Sequence, residues 1–234
     1  MWKDSLQSMD SFSHYHSELL KVVEALPSEF QAMHRAADLL SASTQVVCIG
    51  VGKSGFVAQK MHASLASISV KSVYLHPSEA VHGDIGNVAE NSVAVIFSKS
   101  GNSMEVNELL PFLKKRGCLI IALCNRKESA LGRASDVFLD VKAKSEGEPL
   151  NILPLISIDI SMILANMLVA KVSQTVGMTV ESFARNHPGG QLGRNVSLSL
   201  KDLAGWKSCR PFVSEETTVM DAILVDSEHR AGLV

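Results

Sequence analysis

The segment Gly50-Val51-Gly52-Lys53-Ser54-Gly55 combines the residue types that suit the binding of a phosphate group. Glycines let the backbone N–H groups at a helix start approach an anion closely, and lysine adds a positive charge. The segment matches the G-x-G-x-x-G pattern of dinucleotide-binding folds, because it follows the apolar run 45–49 and precedes a helical stretch. It also contains the Gly-Lys-Ser of a P-loop.

Two absences weaken these nucleotide interpretations. A P-loop requires a glycine five positions before Gly52, where this chain has Val47. A dinucleotide fold places an acidic residue near the end of the next strand to hold a ribose hydroxyl, but the run 70–75 ends in His76-Pro77. We therefore expect a phosphate ligand that need not be a nucleotide.

A second polar loop, 98–103 (SKSGNS), follows the apolar run 92–97 and precedes a predicted helix. Three hydroxyls and a glycine in this position are typical of a phosphate cradle. Taken alone, the loop is equally well a polar turn with a serine helix cap, but the glycine-rich loop at an equivalent strand end favours a site. The hydroxyls belong to Ser98, Ser100 and Ser103.

Carboxylates and histidines add candidate acid–base groups. Glu105 lies near the start of its predicted helix, where it stabilises the helix dipole or acts as a general base. His76 and His82 lie in one predicted site loop and suit acid–base chemistry or metal binding, although either one alone is more often structural. His187 precedes Pro-Gly-Gly, a turn that can carry its side chain away from the preceding helix. Glu146 follows the fifth predicted strand, where solvated loop charge is the default.

Alternating strand and helix patterns must position these residues. Short runs rich in Val, Ile, Leu and Phe separated by helical patterns imply an α/β protein with a parallel sheet covered on both faces. Such sheets bind ligands outside the carboxyl ends of the strands, so the predicted site loops follow Ile49, Leu75, Phe97 and Val141. The predicted strands are 45–49, 70–75, 92–97, 118–123 and 136–141, and the predicted helices are 9–26, 28–40, 54–67, 103–115, 129–134 and 155–176.

The C-terminal part differs in character from about Val196 onward. A helix is predicted over 218–226, and 231–234 resembles the beginning of a strand. We interpret this part as an incomplete domain, and a small ordered tail packed on the core is the alternative.

The amino-acid composition disfavours several classes of binding partner and cellular location. The 234 residues carry a net charge of −2 without a block of like charge, which disfavours nucleic acid and anionic membranes as partners. The four cysteines form no C-x-x-C pair and are expected to be reduced, as in a cytoplasmic protein. No signal peptide is expected at the N-terminus. The apolar region 152–170 is interrupted by Pro154, Asp159 and Asn166, so we predict a buried helix rather than a membrane span.

Four segments in order resemble the sugar isomerase (SIS) domain of arabinose-5-phosphate isomerases. They are 50–55 (GVGKSG), 76–84 (HPSEAVHGD), 98–105 (SKSGNSME) and 187–194 (HPGGQLGR). The resemblance covers about residues 40–196, and the tail from about Asp202 resembles the start of a first CBS module. The expected organisation is N-terminal helices that pack on the core or at an oligomer interface (1–40), a SIS domain (41–196), and a linker with an incomplete CBS module (197–234).

The resemblance implies a flavodoxin-like, three-layer sandwich around a five-stranded parallel sheet, and a homotetramer. It implies interconversion of D-ribulose 5-phosphate and D-arabinose 5-phosphate, which supplies the octulosonate sugar of lipopolysaccharide. Such an isomerisation needs a base and an acid but no redox cofactor or obligatory metal. The matching positions make Lys53, Glu105, Glu146 and His187 the catalytic residues and His82 a substrate contact, with His76 able to bind an adventitious metal such as zinc.

One segment departs from the family pattern. Where the family commonly has Pro-Thr-Ser-Ser-Thr, this chain has Pro154-Leu155-Ile156-Ser157-Ile158, so apolar side chains replace most of the pocket hydroxyls. A non-catalytic sugar-phosphate sensor and an isomerase of another sugar phosphate are therefore the alternatives. Substrate binding is expected to depend on Gly52, Ser54, His82, Ser98, Ser100 and Ser103.

Overall fold

The computed structural model describes residues 10–190 and 213–229. Contacts divide the chain into two units, Met1–Asn186 and His187–Val234. The first unit contains the sheet and its covering helices, and the described part of the second contains one helix, Val219–His229.

The first unit alternates strands and helices along the chain, because apolar runs are separated by loops rich in glycine and serine. Its helices are α1 (Ser11–Ala25), α2 (Phe30–Ala42), α3 (Gly52–Ser67), α4 (Pro77–Ala80), α5 (Met104–Lys115), α6 (Ala130–Ala134), α7 (Ile156–Thr175) and α8 (Val180–Arg185), with short 3₁₀ turns at Leu26–Glu29 and Asp84–Asn87. Its strands are β1 (Val46–Gly50), β2 (Ser72–Leu75), β3 (Val93–Phe97), β4 (Leu119–Cys124) and β5 (Val137–Asp140).

The five strands form one parallel sheet in the order β2-β1-β3-β4-β5. This is the flavodoxin-like order, in which the chain reverses direction across the sheet between β1 and β3. The crevice at this switch point, outside the carboxyl ends of β1 and β3, is where such sheets bind their ligands. The predicted fold class and all five predicted strands are confirmed, with boundaries shifted by no more than about two residues.

Successive strand residues point to opposite faces of the sheet, and each face has its own apolar core. Cys48, Val95 and Leu123 belong to the core that α1, α2, α3 and α7 cover. Ile49 and Ile96 belong to the second core, which α4, α5 and α6 cover. Burial on both faces explains why the strands read as continuous apolar runs in the sequence.

The helix α7 is long and apolar enough to cross a membrane by length and composition alone. Its residues Ile156, Ile160, Leu164, Leu168 and Val172 are fully buried in the first core. Their spacing of four residues places them on one side of the helix, which packs against α2 and α3. The helix therefore belongs to the sheet's covering layer, as its interrupted apolar sequence predicts.

The N-terminal helices pack on the same face of the sheet, where Val22, Met33 and Leu40 enter the first core. Pro27 lies in the 3₁₀ turn between α1 and α2, which matches the predicted break. In the second unit the helix Val219–His229 overlaps the predicted segment 218–226, starting one residue later and ending three residues later. The segment 231–234 and about half of the tail that resembles a CBS module lie outside the described residues.

Candidate functional site

A cleft of about 290 Å³ opens at the carboxyl ends of β1 and β3, at the switch point of the sheet. Three chain segments form it: the glycine-rich loop after β1, the serine loop after β3, and the start of α7. Cavities of about 380–560 Å³ occur elsewhere, but they are lined by other segments and not by the loops after β1 and β3. The residues lining the cleft are Val51, Lys53, Ser54, Phe97, Ser98, Lys99, Ser100, Ser103, Pro154, Ser157 and Ile158.

The glycine-rich loop delivers Lys53 and Ser54 to the cleft in the first turn of α3. The turn from strand to helix needs a left-handed backbone at Gly52, whose φ is +55°. A Cβ on Gly50 would lie 2.6 Å from the carbonyl oxygen of Ser54, so the close approach of helix and strand also requires glycine. No side chain caps the first turn of α3, which leaves its N–H groups for an anion.

Hydrogen bonds within the serine loop and to neighbouring segments hold the loop in shape. The Ser98 hydroxyl lies 2.9 Å from that of Ser103 and accepts the Gly101 N–H at 3.2 Å. Gly101 adopts a φ of +66° and packs so closely on Ser129 that a Cβ would lie 2.1 Å from the Ser129 Oγ. The Asn125 N–H donates to the Lys99 carbonyl at 3.0 Å, which ties the loop to the end of β4. These bonds fix the directions of the hydroxyls before any ligand binds.

Glu146 lies fully buried behind the cleft, where it joins the serine loop to α7. Its carboxylate accepts the Ser157 hydroxyl at 2.6 Å and the backbone N–H groups of Ser157 and Leu155, both at 2.9 Å. It also pairs with the ammonium group of Lys99. A carboxylate at a helix N-terminus satisfies unpaired N–H groups and is favoured by the helix dipole.

The environment of Glu146 keeps its carboxylate ionised. Burial would raise the pKa of Glu146, but Lys99, the Ser157 hydroxyl and the two backbone N–H groups together hold that pKa below its ordinary value. The loop that carries Glu146 is closed by the Asn151 side chain, whose oxygen accepts the Glu146 N–H at 2.7 Å. Glu146 is therefore a fixed negative charge with its lone pairs in use.

The structure brings Lys53, Ser54 and the serines of the second loop to one cleft, and Gly52 lies in the chain between the lining residues Val51 and Lys53. The other predicted residues of the first unit lie outside the cleft lining. Glu105 is half-buried in the first turn of α5, two residues after Ser103. His82 is exposed after α4. His187 belongs to the second unit, and its role stays a prediction.

His76 forms the N-terminal boundary of α4, and its Nδ1 atom is buried without a hydrogen-bond partner among the described residues. The described part of the chain holds no group of three or more His, Cys, Asp and Glu residues arranged for a metal ion. Metal binding at His76 also stays a prediction.

Two residues that line the cleft were not predicted as site residues from the sequence. Lys99 stands between Ser98 and Ser100 in the serine loop, and a basic residue among those hydroxyls is the sequence signal that could have identified it. Ser157 is the hydroxyl that remains in the otherwise apolar segment 154–158. Both meet Glu146, and only the folded chain shows this because the three residues come from three separate loops or helix starts.

The fold and the cleft define a three-layer α/β protein with a cationic, hydroxyl-lined site at the switch point of its sheet. The family model described as SIS domain matches residues 39–171, more than half of the chain. The chain belongs to the SIS domain family.

Several relatives share this region. Arabinose 5-phosphate isomerase KdsD of Salmonella typhi is 36% identical over 195 residues, which are 83% of this chain and 60% of the relative. The KdsD protein of Pseudomonas aeruginosa is 37% identical over 195 residues, with the same coverage of 83% and 60%. The chain thus spans about 60% of the length of these curated relatives.

A solved structure agrees with these matches. The c3406 protein of E. coli CFT073, solved in complex with arabinose 5-phosphate, is 32% identical and superposes with a TM-score of 0.68. The similarity covers 76% of this chain and 95% of that chain.

Proposed function

We propose that the protein is an aldose–ketose isomerase that interconverts D-ribulose 5-phosphate and D-arabinose 5-phosphate through an enediol. The observation that carries the proposal is the cleft at the switch point, where two lysines and five serine hydroxyls suit a phosphorylated sugar. The names of the KdsD relatives and the sugar-phosphate complex of the c3406 protein support this substrate class.

The isomerisation moves one proton between C1 and C2. In the ketose-to-aldose direction a base removes a C1 proton while the C2 carbonyl oxygen gains a proton, which gives the enediol. A proton then returns to C2 while the C1 hydroxyl loses its proton and becomes the aldehyde. Glu105 is the proposed base, because its half-buried carboxyl group stands next to the serine loop at a helix start. Lys53 is proposed to stabilise negative charge on the substrate oxygens.

His187 and His82 complete the proposed set. His187 is the proposed acid for ring opening and oxygen protonation, and His82 is a proposed substrate contact. Glu146 acts in this proposal through the groups it holds, since its carboxylate is fully buried and already accepts four donors. The reaction requires no redox cofactor or metal, and zinc at His76 would be adventitious.

We also propose the cellular setting and the assembly. The protein is placed in the cytoplasm, where its product would enter the synthesis of 3-deoxy-D-manno-octulosonate for lipopolysaccharide. A homotetramer is proposed, and the exposed apolar side chains of Leu20, Val23 and Phe30 on the N-terminal helices support a subunit interface. The tail is proposed to begin a CBS module.

A sugar-phosphate sensor without turnover is the second candidate. It is favoured by Pro154 and Ile158, which give the α7 side of the cleft an apolar surface. An isomerase acting on another sugar phosphate is the third. A sensor would show ligand-induced thermal stabilisation without product formation.

A coupled assay with the purified full chain and ribulose 5-phosphate separates these candidates. We expect arabinose 5-phosphate to form, and folded protein that forms none would refute the main proposal. A panel of pentose, hexulose and heptose phosphates then identifies a different isomerase, and a thermal shift with the same panel identifies a sensor.

A further inference from the structure

Phosphate carries up to two negative charges at neutral pH, so a buried phosphate site needs cations or several hydrogen-bond donors. Two cations line the cleft, Lys53 in the first turn of α3 and Lys99 in the serine loop. They reach the cleft from different strands, which gives a phosphosugar two separate positive contacts. The residues around each lysine indicate which of the two faces the phosphate group.

Lys99 is held by one ion pair, and the rest of its side chain is accessible to a ligand. Its ammonium group pairs with the fully buried Glu146, while 41% of the Lys99 side chain stays exposed. An ammonium group has three N–H donors, and one ion pair with a carboxylate leaves donors for a ligand in the cleft. Ser98, Ser100 and Ser103 belong to the same loop and line the same cleft.

The α7 side of the cleft offers little else to an anion. Pro154 and Ile158 have no polar side-chain atoms, and the Ser157 hydroxyl already donates its proton to Glu146 at 2.6 Å. An anion between the serine loop and α7 therefore has Lys99 as its cationic partner in the described lining. Glu146 keeps that cation in place, because it is itself held by Ser157 and the N-terminal N–H groups of α7.

We propose that Lys99, anchored by Glu146, binds the phosphate group of the substrate in place of the hydroxyls that the segment 154–158 lacks. The inference rests on the proposed function, because that proposal identifies the substrate as a sugar phosphate. Lys53 is then left for the oxygens of the sugar, and Glu146 is a positioning residue for Lys99.

The test measures binding of inorganic phosphate by calorimetry at constant ionic strength, together with KM and kcat for ribulose 5-phosphate. Lys99→Met is expected to raise the phosphate Kd and the KM by roughly tenfold or more, because a charged hydrogen bond is lost, while kcat changes by less than about threefold. Lys99→Arg keeps the charge and is expected to retain most of the affinity. Lys115→Met is the matched control, an exposed lysine at the far end of α5, and should change neither value.

Lys99→Met leaves Glu146 without its cation, so a second comparison guards against misfolding. In the Glu146→Gln background no buried charge is left unpaired, and Lys99→Met is expected to weaken phosphate binding by a smaller factor than in the native protein, because Lys99 there keeps its charge but has lost its anchor. Folded Lys99→Met protein that binds phosphate within about twofold of the native value would overturn the inference. Equal affinities of Glu146→Gln and the double variant would overturn it as well.

Phosphate binding does not depend on turnover, so the two proposals fail separately. Weakened phosphate binding in a protein without isomerase activity would refute the proposed function and support the role of Lys99. Normal turnover with unchanged phosphate affinity in Lys99→Met would support the proposed function and refute the role of Lys99.

Discussion

At the scale of single residues, the two central carboxylates differ in what surrounds them. Glu146 is fully buried, accepts two backbone N–H groups and a hydroxyl, and pairs with Lys99. Its lowered pKa makes it a weak proton acceptor. Glu105 is half-buried at the start of α5 beside the serine loop. The environment of Glu146 makes it a fixed charge, and Glu105 is the proposed base.

Glu105→Gln tests the role of the base. The amide cannot remove a proton from carbon, so we expect kcat to fall by about 10²–10⁴-fold, the usual contribution of a general base. The phosphate Kd should change little, because the serine loop and both lysines remain. Glu90→Gln, an exposed carboxylate elsewhere, serves as the control. A kcat within a few-fold of the native value would reject Glu105 as the base.

Glu146 should make stability depend on acid pH. Its folded-state pKa lies below the ordinary 4.5, so its stabilising effect is complete above that pH and is lost as pH falls through the lower folded-state value. At neutral pH, Glu146→Gln should cost on the order of 1–3 kcal/mol of unfolding free energy, as for charged hydrogen bonds.

Urea unfolding of both proteins between neutral and strongly acid pH checks this expectation. The difference in unfolding free energy should shrink as the pH drops below about 4.5. Glu29 also has a lowered pKa, but it is present in both proteins and its effect cancels. A difference that stays constant down to the lowest pH would contradict the assignment.

At the scale of elements, the cleft depends on tight turns between strands and helices. The serine loop passes Gly101 against Ser129, the N-cap of α6, and the Leu131 N–H donates to the Gly101 carbonyl at 3.0 Å. The loop is thus clamped between β3 and α6. A side chain at Gly101 would have to move the serine loop itself.

Gly101→Ala should therefore be more harmful than backbone strain alone. Gly177 has the same φ of +66° but open space around the position of a Cβ, so Gly177→Ala isolates the strain. We expect about 1–2 kcal/mol of destabilisation for Gly177→Ala, and a larger loss for Gly101→Ala. Only Gly101→Ala should also weaken phosphate binding. Equal losses in both variants would show that the contact with Ser129 is unimportant.

At the scale of the whole molecule, apolar surface remains uncovered on the N-terminal helices. Phe30 is 43% exposed, and it forms a groove with Met33 and Met167 between α2 and α7. Exposed apolar surface of this kind favours association of subunits. The proposed tetramer would cover it.

Light scattering during gel filtration measures the assembly directly. The native protein should show about four times the chain mass of 25.2 kDa. Phe30→Glu should lower the mass, because a charge would be buried in an apolar interface. Phe112→Glu, at an exposed aromatic residue on α5 in the opposite layer, should leave the mass unchanged. A native monomer, or identical masses for native protein and Phe30→Glu, would reject this interface.

The sequence by itself determined the sheet, its covering helices except the short α4, and the approximate position of the site. Continuous apolar runs such as Ala94–Val95–Ile96 require burial on both faces, and the glycine loop marks a helix start that can receive an anion. Both signals are local, so they can be read without the fold. Because β1 and β3 are parallel neighbours, the loops that follow them lie at the same edge of the sheet and line the same crevice.

Only the tertiary structure decided how the charges in the site are paired. Lys99, Glu146 and Ser157 come from the ends of β3, the loop after β5 and the start of α7, and they meet behind the cleft. Sequence patterns predicted Glu146 as either solvated loop charge or, by resemblance, a catalytic residue, because burial and ion pairing depend on contacts between distant segments. The same contacts give Lys99 an anchor that no local pattern reveals.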